Sequence, residues 1–116
     1  MSERDYERDD QVRELTPRQL AKRMEEDPQL RLIDIREAFE WSLCRIEGAE
    51  WLPMNEVPEH LDELGKDETI VLYCHHGTRS AVMLDYLMQL GYYNTFHLVG
   101  GIEAWALDID SEMPRY

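Results

Sequence analysis

Cysteine is scarce in this chain: Cys44 and Cys74 are the only two among 116 residues. Two thiols cannot build a disulfide scaffold, and the expectation is that they stay free in a reducing compartment. Long apolar runs are missing as well. The longest, "IVLYC" at 70–74, falls far short of the roughly 20 residues that cross a bilayer. Positive charge is outnumbered, with 12 Lys and Arg against 25 Asp and Glu, for a formal net charge of −13. Residues 1–14 hold only −3 of this, six acids less three arginines, so the acidity is spread along the chain. With no basic stripe to displace counterions from phosphates, nucleic acid is excluded as the expected partner, and anionic membrane surfaces are excluded with it. The opening "MSERDYERDD" lacks the basic-then-apolar layout of a secretory signal. The expected location is cytoplasmic.

What the chain does have is enough apolar material for one core. Hydrophobic residues make up 43%, which sets it apart from disordered sequences, and its length suits one domain. Residues 1–11 read as a frayed, acidic tail and 12–116 as a single domain. Thr16, Pro17 and Gln19 mark a helix start with a capping box. "LRLIDI" (30–35), "GAEWLP" (48–53), "ETIVLYC" (68–74) and "TFHLVGG" (95–101) read as strands. Between them lie helical stretches at "REAFEWSL", "EVPEHLDEL" and "RSAVMLDYLMQLG" (79–91), with "IEAWAL" last. In the helix at 79–91, Val82, Met83, Tyr86, Leu87 and Leu90 are expected to face inward and Asp85 and Gln89 outward. Strands alternating with helices imply an α/β fold around a parallel sheet covered on both faces. The segments that follow the strands, Asp34 to Arg36, Pro53 to Asn55, Cys74 to Arg79 and Gly100–Gly101, should then converge along one edge.

"VLYCHHGTRSAV" (71–82) carries the chemistry. Cys74 closes the most apolar strand, and a helix begins a few residues later. A thiolate is favoured beside a helix N-terminus. The intervening His75, His76, Gly77 and Thr78 can curl round the sulfur and turn successive N–H groups toward it. Gly77 supplies the positive φ that such a curl needs, and Arg79 adds a fixed cation with five donors. The competing reading, an inert buried cysteine, does not account for a glycine, an arginine and a helix start within six residues.

Four stretches, "LIDIRE" (32–37), "RIEGAEWLP" (45–53), "YCHHGTRSA" (73–81) and "LVGGIEAW" (98–105), in this order and spacing, resemble the rhodanese (thiosulfate sulfurtransferase) family over roughly residues 12–107. The resemblance implies a rhodanese-like α/β fold, a five-stranded, mostly parallel sheet flanked by helices on both faces. It also implies a sulfurtransferase that takes a sulfane sulfur from thiosulfate or a persulfide donor onto Cys74. The sulfur then passes to cyanide or a thiol. Cys74 and Arg79 would be catalytic; His75, His76, Gly77, Thr78 and Ser80 would bind the substrate; Asp34 and Arg36 would support the site from below. No cofactor and no metal are implied. The expected partners are a small anionic sulfur donor, its acceptor, and a sulfur-relay protein.

One departure is local: where the family often has Gly-His before Ile46, this chain has Cys44-Arg45, and packing is the expected role of Cys44. Two alternatives stay open. A persulfide carrier or regulatory binding module acting with a protein partner would use the same nucleophile. A cysteine phosphatase would carry five residues between Cys and Arg, where this chain has four. A metal site at Cys74, His75 and His76 lacks the usual ligand spacing, and nothing in the spacing of His60 and His97 suggests that they complete one.

Overall fold

A computed structural model describes residues 13–116; the expected tail at 1–11 lies outside the described residues. Five strands form one sheet: β1 (Glu14–Leu15), β2 (Arg31–Asp34), β3 (Glu50–Trp51), β4 (Ile70–Tyr73) and β5 (Thr95–Leu98). Their order is β1-β5-β4-β2-β3, and every pairing is parallel. Helices α1 (Pro17–Glu26), α2 (Ala38–Leu43) and α3 (Thr78–Gln89), with a 3₁₀ segment at Met54–Glu63, make the crossovers, and α4 (Gly101–Asp108) follows β5.

The alternation of side chains along each strand divides the core into two layers. Leu32, Val71, Phe96 and Leu98 pack on one face with Leu20 of α1 and Ile102 and Trp105 of α4. Ile33 and Leu72 pack on the other with Val57 of the 3₁₀ segment and Met83 and Leu87 of α3. Cys74, one residue past β4, belongs to this second layer. Strands buried on both faces need near-continuous apolar sequence, which is why β4 reads IVLY and is buried throughout.

Three details differ from the sequence reading. β1 has no signal of its own, because two residues of an edge strand acquire their pairing only from β5. All of "EVPEHLDEL" but its last residue lies in a 3₁₀ segment broken by non-helical backbone at His60, with Pro58 inside it. The inward face of α3 is also rotated from expectation. Val82 and Leu90 are exposed, while Met88 is buried with Met83 and Leu87. Ser80 takes the first inward position of that helix.

Because all strands run in parallel, their C-terminal ends share one edge. The loops after β2 and β3 are tied together there: Leu52 N–H donates to the Asp34 carbonyl at 2.9 Å and Met54 N–H to that of Ile35 at 3.0 Å. A cavity of about 560 Å³ at this edge is lined by Ile35, Arg36, Pro53, Met54, Arg79 and Met83, among others. The expected convergence is therefore realised.

Candidate active site

The loop from Cys74 to Ser80 is shaped by two helix N-termini. Gly77 stands just before α3 with φ of 104°, a left-handed conformation natural only to glycine. That turn aims two amides inward. Gly77 N–H donates to Cys74 Sγ at 3.1 Å, and Ser80 N–H donates to it at 3.3 Å. The loop's carbonyls are drawn the other way by α4: Ile102 N–H donates to the Cys74 carbonyl at 2.9 Å and Glu103 N–H to that of His75 at 3.1 Å. With its carbonyl oxygens held by one helix, the loop is free to present N–H groups to the sulfur. Negative charge on that sulfur is stabilised by both amides and by the positive end of α3. Cys74 itself is 1% exposed.

Cys74, Gly77 and Ser80 come together as expected. His75, His76 and Thr78 lie on the same loop, but the amides that reach the sulfur are those of Gly77 and Ser80. His75 is half-buried, stacked between His76 and Tyr116 with ring centroids 3.8 Å from each. Burial and the neighbouring His76 push its pKa below the ordinary imidazole value, so the neutral ring is favoured. The Ser80 hydroxyl is fully buried beneath the thiol, within 2.9 Å of His97 Nδ1.

Asp34 and Arg36 form an ion pair, both fully buried. Arg36 Nε and Nη2 donate to the Asp34 carboxylate, the shortest contact being 2.6 Å. The remaining guanidinium donors reach the Cys44 carbonyl at 2.5 Å and the Tyr116 hydroxyl at 2.7 Å. Cys44 is buried and free, with its sulfur 4.0 Å from Arg36 Nη1, which agrees with a packing role.

Arg79, the fixed cation of the loop, is paired. Both of its Nη groups donate to Glu40 of α2, at 2.7 and 2.9 Å. The Tyr116 hydroxyl donates to the same carboxylate at 2.6 Å. Burial alone would raise the Glu40 pKa, yet these donors outweigh it and hold the carboxyl at about 2. Arg36, Tyr116, Glu40 and Arg79 thus form one chain of hydrogen bonds from the buried ion pair to the rim of the loop. Glu40, Tyr116 and His97 were not singled out from sequence as site residues. The alternation of β5, with Phe96 and Leu98 in one core layer, is the signal that sets His97 on the α3 face.

The Rhodanese-like domain family matches residues 16–108. The chain is 38% identical over 104 residues to the probable adenylyltransferase/sulfurtransferase MoeZ of Mycobacterium tuberculosis, covering 88% of this chain but 26% of that protein. It therefore spans about a quarter of that relative's length. It is 33% identical over 101 residues to the thiosulfate sulfurtransferase GlpE of Glaesserella parasuis, covering 87% of this chain and 90% of that one. Among solved structures, a rhodanese-like domain protein from Staphylococcus aureus superposes with a TM-score of 0.76 at 26% identity, over 90% of this chain and 98% of that one. The cysteine loop, the parallel sheet beneath it and these likenesses agree: this chain belongs to the rhodanese-like domain family.

Proposed function

We propose that residues 12–116 act as one unit, a thiosulfate sulfurtransferase that works through a persulfide on Cys74. The observation that carries this reading is the pair of amides at 3.1 and 3.3 Å from the sulfur. They favour the thiolate, which is the nucleophile, and they can follow negative charge onto a second sulfur about 2 Å farther out. The cycle is of the double-displacement kind. The Cys74 thiolate attacks the outer sulfur of thiosulfate; a sulfur–sulfur bond forms and the old one breaks, its electron pair leaving on sulfite. Cyanide or a thiolate then attacks the outer persulfide sulfur and releases the Cys74 thiolate. The relative named as a thiosulfate sulfurtransferase supports the donor, and the four-residue spacing between Cys74 and Arg79 suits a sulfur atom better than a tetrahedral phosphoryl group.

A second reading, a persulfide carrier serving a protein partner, is favoured by one feature. Glu40 already occupies Arg79, which lowers the pull on a free dianion and matters less to a donor brought in by docking. The resemblance to a segment of the longer adenylyltransferase/sulfurtransferase fits the same role.

The deciding experiment is intact mass after thiosulfate treatment, with turnover to cyanide as its second arm. A gain of one sulfur that cyanide removes is expected, abolished by Cys74→Ser and retained by Cys44→Ser. Loss of the gain in Cys44→Ser alone would overturn the assignment of the nucleophile. Uptake of a single sulfur with no continuing turnover would favour the carrier.

A further inference from the structure

Behind the sulfur lies a polar layer that this chemistry leaves unused. The Cys74 thiol is 3.6 Å from Ser80 Oγ, which it approaches as a donor. Ser80 Oγ lies 2.9 Å from His97 Nδ1, closer than the other acceptor in its reach, the Gly77 carbonyl at 3.2 Å. His97 Nε2 in turn faces a Glu14 carboxylate oxygen at 3.8 Å, its neighbour in the β1–β5 register. These four side chains run in a line from the nucleophile through the α3 face of the sheet to the edge strand. Ser80 and His97 are buried, where a polar pair is costly unless each group is satisfied. Two of them in a layer otherwise built from residues such as Leu72 and Leu87 call for a reason.

We propose that Ser80 and His97 form a proton relay that receives the Cys74 proton as the thiolate forms; this rests on the reading of Cys74 as the nucleophile. The hydrogen count closes. In the resting state the thiol donates to Ser80 Oγ, the hydroxyl donates to His97 Nδ1, and the Nε2 hydrogen faces Glu14. On ionisation the sulfur proton passes to Oγ while the hydroxyl proton passes to Nδ1. Sulfur is left with one negative charge and the imidazole gains one positive charge. The new hydroxyl hydrogen then points back at the sulfur, joining the amides of Gly77 and Ser80 as a third donor. His97 acts through Ser80 and is a positioning residue; Ser80 touches the reacting atom.

His97 is placed as a neutral acceptor whose charged form is opposed by burial and favoured by Glu14. From β4 the neighbour in register is the apolar Leu72, from α3 it is Ser80, and from β1 it is Glu14. Burial lowers the His97 pKa and Glu14 opposes that shift, so the ring rests neutral near pH 7 with a counterion in place for its charged form.

The test is the pH dependence of Cys74 alkylation by iodoacetamide, read by intact mass in the Cys44→Ser background. Ser80→Ala and His97→Asn should each slow alkylation about tenfold at pH 7, moving the curve up by about one pH unit, and should rejoin the parent near pH 10. Asparagine keeps a hydrogen-bonding group toward Ser80 but cannot titrate, so a merely structural role predicts a curve of unchanged midpoint. That result in both variants overturns the relay. Should both fail to fold, Glu14→Gln at its half-exposed edge position decides, with a smaller upward shift expected and an unmoved curve overturning the proposal. Iodoacetamide needs no sulfur donor, so the relay and the sulfurtransferase reading fail separately. Shifted curves in a protein that takes up no sulfur would sink only the latter.

Discussion

Glu40 holds Arg79 through both carboxylate oxygens, at 2.7 and 2.9 Å, on the rim of the loop that encloses Cys74. The pair is lopsided: the Glu40 side chain is 4% exposed and that of Arg79 36%. The acid is therefore the anchored member and the arginine the one that faces an incoming molecule. An anion arriving at the loop meets a nearly neutral pair, on a protein whose net charge of −13 already opposes it at long range.

Glu40→Gln should therefore improve capture of a small anionic donor. Removing the negative charge that sits behind the water-facing Arg79 is worth roughly 1 kcal/mol, or about fivefold. The expected result is a KM for thiosulfate about fivefold lower with kcat little changed, measured by sulfite release at low ionic strength and reduced by added salt. Arg79→Ala should do the reverse, since it leaves Glu40 negative without its cation. The double variant should recover part of the loss, and additive effects in that cycle would show the two side chains to be uncoupled.

The same pair sets an acid limit on stability. The Glu40 carboxyl stands at about 2, against 4.5 for the ordinary group. A depressed folded-state pKa contributes stability that is complete above the ordinary value and is lost as pH falls through the folded one. The loss should run from about pH 4.5 down to about pH 2. Glu50 beside Arg31 and Glu103 beside Arg115 are lowered too, so part of the acid slope belongs to the surface. Melting temperature followed over this range should fall more gently in Glu40→Gln than in the parent. Parallel slopes would place the acid sensitivity elsewhere.

Local chemistry was legible in the sequence and long-range partnership was not. The capping box of Thr16 and Gln19 forms as the residues predict, because everything it needs lies within four positions. The strand-end cysteine and the glycine of positive φ likewise share one loop. Arg79 and Glu40 are 39 positions apart, and Arg36 and Tyr116 are 80 apart; no spacing rule reaches that far. The inward face of α3 was misread for a related reason. After its polar first turn the run 81–84, "AVML", is continuously apolar, so periodicity leaves the orientation open. The need to seat Ser80 under the sulfur turns Val82 to solvent.

Tyr116 closes the network that begins at Asp34. Its hydroxyl accepts from Arg36 at 2.7 Å and donates to Glu40 at 2.6 Å, while its ring stacks on His75. Tyr116→Phe keeps the stack and removes both hydrogen bonds, so it should cost about 1–2 kcal/mol, since the bonds are to charged groups but the residue is partly solvated. Tyr116→Ala should cost more and also free the His75 ring. Denaturant unfolding of the two variants separates the contributions, and equal losses would mean that the stack adds nothing.

Gly101 is where the loop packs directly on α4. Its φ is +63°, and a Cβ built there would fall 2.5 Å from the Cys74 carbonyl oxygen and closer still to that of His75. Both neighbours are backbone, so neither can swing aside. They are also the two carbonyls that α4 holds away from the sulfur through Ile102 and Glu103. Gly101→Ala must push the loop off the helix, which should cost about 2–4 kcal/mol from strain and overpacking together. The displacement would also turn the Gly77 and Ser80 amides from Sγ. Sulfur transfer should therefore fall by more than tenfold at a temperature where the variant is still folded, as checked by circular dichroism beside the activity assay. Full activity in a folded Gly101→Ala protein would mean that the amides do not depend on this contact, and that the Cys74 sulfur is supported from elsewhere.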